Sequence, residues 1–382
     1  MNNTIICILA IVILCCVFVS CQEEEQTTIA HELEGTDIIV NKNKPQNPSL
    51  SLKFEEDLSL TKESWWPTQI LVDDEEYIYV LAGKKKTLIK FNSKGTEILS
   101  KKFPKGQAPG EFEQFDPCFS YDERLFIVDG SQLRLTVINR NFEILNISKM
   151  KFGGGLFRLD SEGNMYFLVL KFLAKTRDRQ RLILTKYSPS GTPLHEIMEY
   201  QWGAYRDNVS GVYHHDVYPA QLKYKMDSQD NIYYALSDNY EINVVSPEGK
   251  IIRRITKTGS SRKITQNEIL KYKPKSRSNR VIWDVPEHMP YIANLFILDN
   301  DYLLVITFEN DDDKHSLSGD IFNEKGVYIA KVQIPKYYMW YYLREPFSNK
   351  NNAVYKNNYF FTIEADEGEE NFYIKRYKMI WE

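Results

Sequence analysis

Asp160-Ser161-Glu162-Gly163-Asn164-Met165-Tyr166-Phe167 and Asp227-Ser228-Gln229-Asp230-Asn231-Ile232-Tyr233-Tyr234 share one design, a polar turn running into an apolar-aromatic strand. The design returns as Asp73 to Val80 and Tyr121 to Val128, and in shorter form as Asp299 to Leu304 and Asn357 to Phe361, making six copies. A second pattern follows the first, a hydrophobic strand that turns at a polar tetrad. It is Phe91-Asn92-Ser93-Lys94-Gly95, Ile138-Asn139-Arg140-Asn141, Tyr187 to Gly191, Val245 to Gly249 and Phe322 to Gly326. Gly or Asn at its end supplies the positive φ of a hairpin turn. One unit therefore carries four strands and two punctuated turns, and a fixed period of this kind is the mark of a repeat architecture.

Four strands per unit, repeated around an axis, describe a propeller blade. The expected fold is all-β, a six-bladed β-propeller of four-stranded antiparallel blades occupying residues 49–382, or about 55 residues per blade. The last unit ends at Tyr377 to Glu382 before an outer strand can form, and Leu50-Ser51-Leu52-Lys53-Phe54 alternates with period two. That N-terminal strand is expected to close the last blade, so that the ring has no open seam. Two β-sandwiches would use similar short strands, but no linker-like stretch divides the chain near its middle.

The 382 residues are 43% hydrophobic and 13% aromatic, enough for a large core, which excludes wholesale disorder. With 48 basic and 52 acidic residues the formal charge is −4, which argues against nucleic acid as a partner. Ile5 to Val19 is an apolar run without a charged side chain. It is short for a membrane span of roughly 20 residues and has the length of a secretory signal core. Phe18-Val19-Ser20-Cys21 resembles the lipobox of bacterial lipoproteins, which implies a signal peptide over 1–20, lipid on Cys21 and attachment to a membrane. The Gln22-Glu23-Glu24-Glu25 cluster resembles a surface-export signal of Gram-negative lipoproteins and implies the outer membrane or cell surface. Residues 21–48 are expected to be an acidic, polar tether that buries little, interrupted by the apolar run Ile38-Ile39-Val40. Cys7, Cys15 and Cys16 lie within the signal, so Cys118 is the one cysteine left beside Cys21, too few for a disulfide framework.

Gly106-Gln107-Ala108-Pro109-Gly110-Glu111-Phe112, followed by Leu125 to Asp129 and Leu133 to Val137, resembles an NHL repeat over residues 106–144. The chain as a whole is similar to the six-bladed NHL-like propeller lipoproteins of Gram-negative bacteria. That resemblance implies a fold and a location and brings no activity with it.

In such a blade the loop between strands two and three shares a face with the connection to the next blade. The connections at residues 195–220, 253–292 and 330–352 are the long ones, and binding residues gather on long loops of a rigid scaffold. They carry Trp202, Tyr205, Tyr213 and Tyr218, then Trp283 and Tyr291, then Trp340 and Tyr341, which suit a glycan or peptide face. The same aromatics would equally serve to pack the loops onto the blades. Residues 253–280 hold ten basic side chains against Glu268 alone, and Thr265-Gln266-Asn267-Glu268 is a capping box that predicts a short helix between blades four and five. Glu309 to Asp313 and Glu364 to Glu370 form acidic sectors. The function read from this is a membrane-anchored, surface-exposed propeller that binds a ligand or protein partner (a glycan, a peptide or an envelope component) through one aromatic, charge-segregated face.

Catalysis has little to stand on. There is no P-loop, dinucleotide fingerprint, Gly-x-Ser-x-Gly elbow or His-Glu-x-x-His, and no cofactor is expected. The alternative is a metal-dependent lactonase- or lyase-like propeller enzyme. Its candidate ligands are His214, His215 and Asp216, with His288 from the next connection. Neighbours on an extended strand point to opposite faces, so His214 and His215 are not expected to share one ion.

Overall fold

The computed structural model describes residues 29–33, 35–62, 66–82, 86–119, 124–151, 155–171, 180–202, 205–206, 212–259, 261–266, 269, 281–309, 316–337, 352–366 and 370–382. Signal residues 1–20, Cys21, Trp340 and Tyr341 lie outside this set. The chain is an all-β, six-bladed propeller. In chain order the blades occupy residues 67–102, 116–149, 155–202, 222–257, 292–335 and 353–381. Within each sheet successive strands pair antiparallel, and the inner strands lie against one another around the axis.

The central strands read as continuous apolar runs because both of their faces are covered. In Ile78–Ala82, Tyr79 faces blade two while Ile78 and Val80 face blade six. Tyr233 faces blade five and Tyr234 faces blade three in the same way. Six apolar clusters result, one in each interface between neighbouring blades. Polar pairs punctuate these interfaces. Lys257 Nζ lies 2.6 Å from Asp320 across blades four and five, and Lys186 lies 3.0 Å from Asp160 within blade three.

The repeat has a local cause. In three of the turns the first residue accepts amide hydrogen bonds from the residues two and four further on. Asp73 Oδ1 takes Glu75 and Tyr77 at 3.1 and 2.9 Å, Asp160 takes Glu162 and Asn164, and Asp227 takes Gln229 and Asn231. Asn92, Asn139 and Asn323 do the same in the second pattern. Short polar side chains stabilise turns in this way. The positive φ falls three residues after the acceptor, at Gly95 and Gly326 as expected, but in blade two at Phe142 (62°) rather than at Asn141. The ring of Phe142 is fully buried in the cluster between blades one and two, which holds the residue in that conformation.

Asp129 anchors the loop that carries the NHL resemblance. Its Oδ2 accepts the Glu113 amide at 2.7 Å, and Arg134 beside it donates to the carbonyls of Gln107, Ala108 and Glu111.

Leu52–Thr61 is the outer strand of blade six, paired antiparallel with Phe372–Trp381 from Leu52↔Trp381 to Thr61↔Tyr373. Residues ahead of it form more than a tether. Ile29–Leu33 and Thr36–Asn41 make a hairpin whose second strand runs parallel to Ile251–Lys257, extending blade four to six strands. Ile39 is buried there. Asn41 is buried too, donating to Thr256 O and Gly326 O at 3.1 and 3.0 Å and accepting from Tyr328 N at 2.8 Å. Gln46 N and Asn47 N then bond Tyr328 O and Ile329 O of blade five. The N-terminal segment is thus a strap across blades four, five and six.

Candidate functional site

The long connections begin later than the sequence suggests. His195 to Trp202 belongs to blade three's outer strand Pro193–Trp202, and blade four's outer strand runs to Lys257. Beyond them the first two connections combine. Tyr205–Arg206 pairs with Tyr213–Asp216, which pairs in parallel with Val281–Asp284, giving a small separate sheet. Ile269 N donates to Thr265 O at 3.1 Å, one helical hydrogen bond where the capping box lies; the basic stretch 270–280 is outside the described residues.

Beside this sheet lies a cleft of about 370 Å³. Tyr218 and Met289 are buried at its base, and Ser261 is buried beside them. The segment Pro286-Glu287-His288-Met289-Pro290-Tyr291 forms one wall, and Asp238, from the hairpin between strands two and three of blade four, forms the other. The wall is fixed by its backbone: Ile264 N and Met289 N bond Glu287 O and Arg262 O, while Tyr291 N and Ile292 N both donate to Ser237 O. Two prolines stiffen it further. Tyr291 stands edge-on to Tyr240, with centroids 6.5 Å apart. Lys263 pairs with Glu287 at 3.1 Å and draws its carboxyl below the usual range, aided by the field of His288. The cleft therefore has an aromatic and apolar base, with hydroxyl, imidazole and carboxylate groups at its edge.

The sequence-predicted residues separate into groups. Tyr218, Tyr291 and His288 meet at the cleft. Trp202 packs half-buried against the core between blades three and four, and Trp283 against the core of blades five and six. Tyr213 is 45% exposed on the small sheet. Tyr205 and His215 lie on that sheet too, in its strands Tyr205–Arg206 and Tyr213–Asp216. His214 Nδ1 lies 3.1 Å from Asp284 Oδ2, and Asp216 sits level with Asp284 in the parallel register. Among the described residues no three His, Cys, Asp or Glu side chains converge as a metal site requires.

One pair of side chains is absent from the sequence reading. Blade four's inner strand, Leu222–Met226, alternates apolar residues with Lys223 and Lys225. Its signal was that alternation itself, since an inner strand has no broad solvent face on which to spend two lysines.

No protein-family model matches the sequence, and no curated protein is significantly similar to it. Solved structures do match. A candidate exported protein of Bacteroides fragilis is 14% identical with a TM-score of 0.51, the match covering 90% of this chain and 99% of that one. A member of a domain family of unknown function from Bacteroides vulgatus is 10% identical, also at 0.51, over 86% of this chain and 99% of that one. A virginiamycin B lyase of Staphylococcus aureus follows at 11% identity and 0.43, over 87% and 100%. At these identities the likeness is one of fold.

Proposed function

We propose that the protein is an envelope lipoprotein, anchored through Cys21 at the outer membrane or cell surface, with an NHL-like propeller that binds a glycan or peptide on its connection face. The observation that carries the binding reading is the cleft between blades four and five. Its volume lies within the range of about 300–1,000 Å³ usual for small-ligand sites, and its aromatic base with a few convergent polar groups has the make-up of such sites. The lipobox-like Phe18 to Cys21 and the acids behind it support the location, and the candidate exported protein of similar fold agrees with it.

Two experiments test the reading. Cys21→Ala should leave an unprocessed or soluble protein; unchanged detergent partitioning and processing would defeat the anchor. On a glycan and peptide array, Asp238→Asn and His288→Ala, both at the edge of the cleft, should weaken capture by the folded protein about tenfold, a loss of some 1.4 kcal/mol. Capture that ignores both substitutions would move the ligand elsewhere.

A further inference from the structure

The lining of the cleft changes character with depth. Its buried part is apolar, built from Tyr218, Met289 and Pro290 with Ser261 beside them and the half-buried Tyr291. Its exposed part is acidic, with the Asp238 carboxylate on one wall and Glu287 on the other. No lysine or arginine is among the described residues that line it. Asp238 enters no hydrogen bond or ion pair among the described residues. Glu287 pairs with Lys263, but those two side chains are 69% and 75% exposed. An ion pair in that setting contributes little, so Glu287 can exchange Lys263 for another cation.

A glycan and a peptide make different demands on such a cleft. A sugar ring carries hydroxyls on most of its carbons, and each one withdrawn from water needs a partner. The buried lining offers two side-chain hydroxyls, of Ser261 and Tyr218. The Met289 and Tyr291 amides are already spent on Arg262 O and Ser237 O, and Pro286 and Pro290 have no N–H to give. An apolar side chain needs no such partners, and it gains in proportion to the area removed from water. The carboxylates at the edge then favour positive charge next to that side chain and repel negative charge.

We propose that the cleft takes a cationic peptide, with an apolar side chain seated on Tyr218, Met289 and Tyr291 and a flanking lysine or arginine held by Asp238, Glu287 being the second acceptor. This rests on the cleft being the binding site of the propeller. The apolar contact supplies the anchorage, and the exposed carboxylates supply the choice of sign. Charges so placed steer the encounter and are screened by salt.

The test is fluorescence anisotropy of the full chain in detergent with a labelled, capped five-residue peptide that has phenylalanine at its centre between two lysines. Acetylating both lysines removes the charge and keeps the ring; replacing the phenylalanine by alanine does the reverse. Each change should weaken binding about tenfold, and added salt should weaken only the charged forms. Asp238→Asn, on an exposed hairpin, should cost the charged peptide about tenfold and leave the acetylated one unchanged. Lys263→Met, which releases Glu287, should tighten the charged peptide severalfold. Equal binding of the charged and acetylated peptides, or an equal response of both to Asp238→Asn, would overturn the charge assignment and leave the cleft as a binding site. Binding of chitotriose but of neither peptide, weakened by His288→Ala, would overturn the peptide and also keep the cleft. Binding of none of these probes would overturn the inference, whereas array capture indifferent to both Asp238→Asn and His288→Ala would remove the cleft itself.

Discussion

Trp202 and Trp283 are two of the aromatic residues the sequence offers for a binding face, yet both rings pack against the inter-blade cores. Each changed to Ala should cost about 3 kcal/mol in urea denaturation, a packing loss that would mask any effect on binding. Stability unchanged in both would return them to the surface. Sequence could not separate these roles, because a large ring that covers a loop and one that grips a ligand have the same composition and spacing. Tyr218, Tyr291 and His288 come together only through the fold, from two connections. Lys225 gives a second prediction at this scale. Below about pH 7 its amine is protonated both folded and unfolded, and the folded state bears the full cost of the unpaired charge. Between about 7 and the ordinary 10.5 the folded chain releases a proton that the unfolded chain retains, so stability rises with pH across that window. Lys225→Met should melt above the parent below about pH 7, with the gap closing by about pH 10.5; a gap constant across the range would contradict the depressed amine.

Among the elements, turns were the most legible, because an Asp or Asn acceptor needs backbone amides at fixed offsets and writes that spacing into the sequence. The offset determines where φ becomes positive, which is why Phe142 takes the position despite its bulk. The strap was less legible. Ile38-Ile39-Val40 is too short a run to declare a strand, and its pairing partner lies more than two hundred residues away. Asn41 fastens it. Asn41→Ala leaves Tyr328 N and Gly326 O without that side-chain partner and should cost about 2–3 kcal/mol. Deleting residues 22–46 should therefore destabilise the protein clearly; a chemical-denaturation midpoint equal to the parent's would return this segment to a passive tether.

Across the whole molecule, the ring depends on the pairing of Leu52–Thr61 with Phe372–Trp381. A chain beginning after Thr61 exposes the edge of blade six and should melt more than about 10 °C below one beginning at residue 29. A synthetic peptide spanning 50–62 should recover part of that loss, and indifference to both changes would show that closure contributes little. Closure was foreseeable because six copies of one pattern faced five of the other. The strap also bears on the order of events during synthesis. The closing strand is made before blade one, and its partner only after blade five. Left alone it would wait as an unsatisfied edge through the making of five blades, the kind of intermediate that invites misassembly. Because the hairpin over 29–41 docks on blade four, the waiting strand can be moored once residues 251–257 exist, well before blade six. What remains is a search over the span of one blade, not of the entire chain, so the strap would act as a built-in folding guide whose loss slows refolding more than it lowers the melting point.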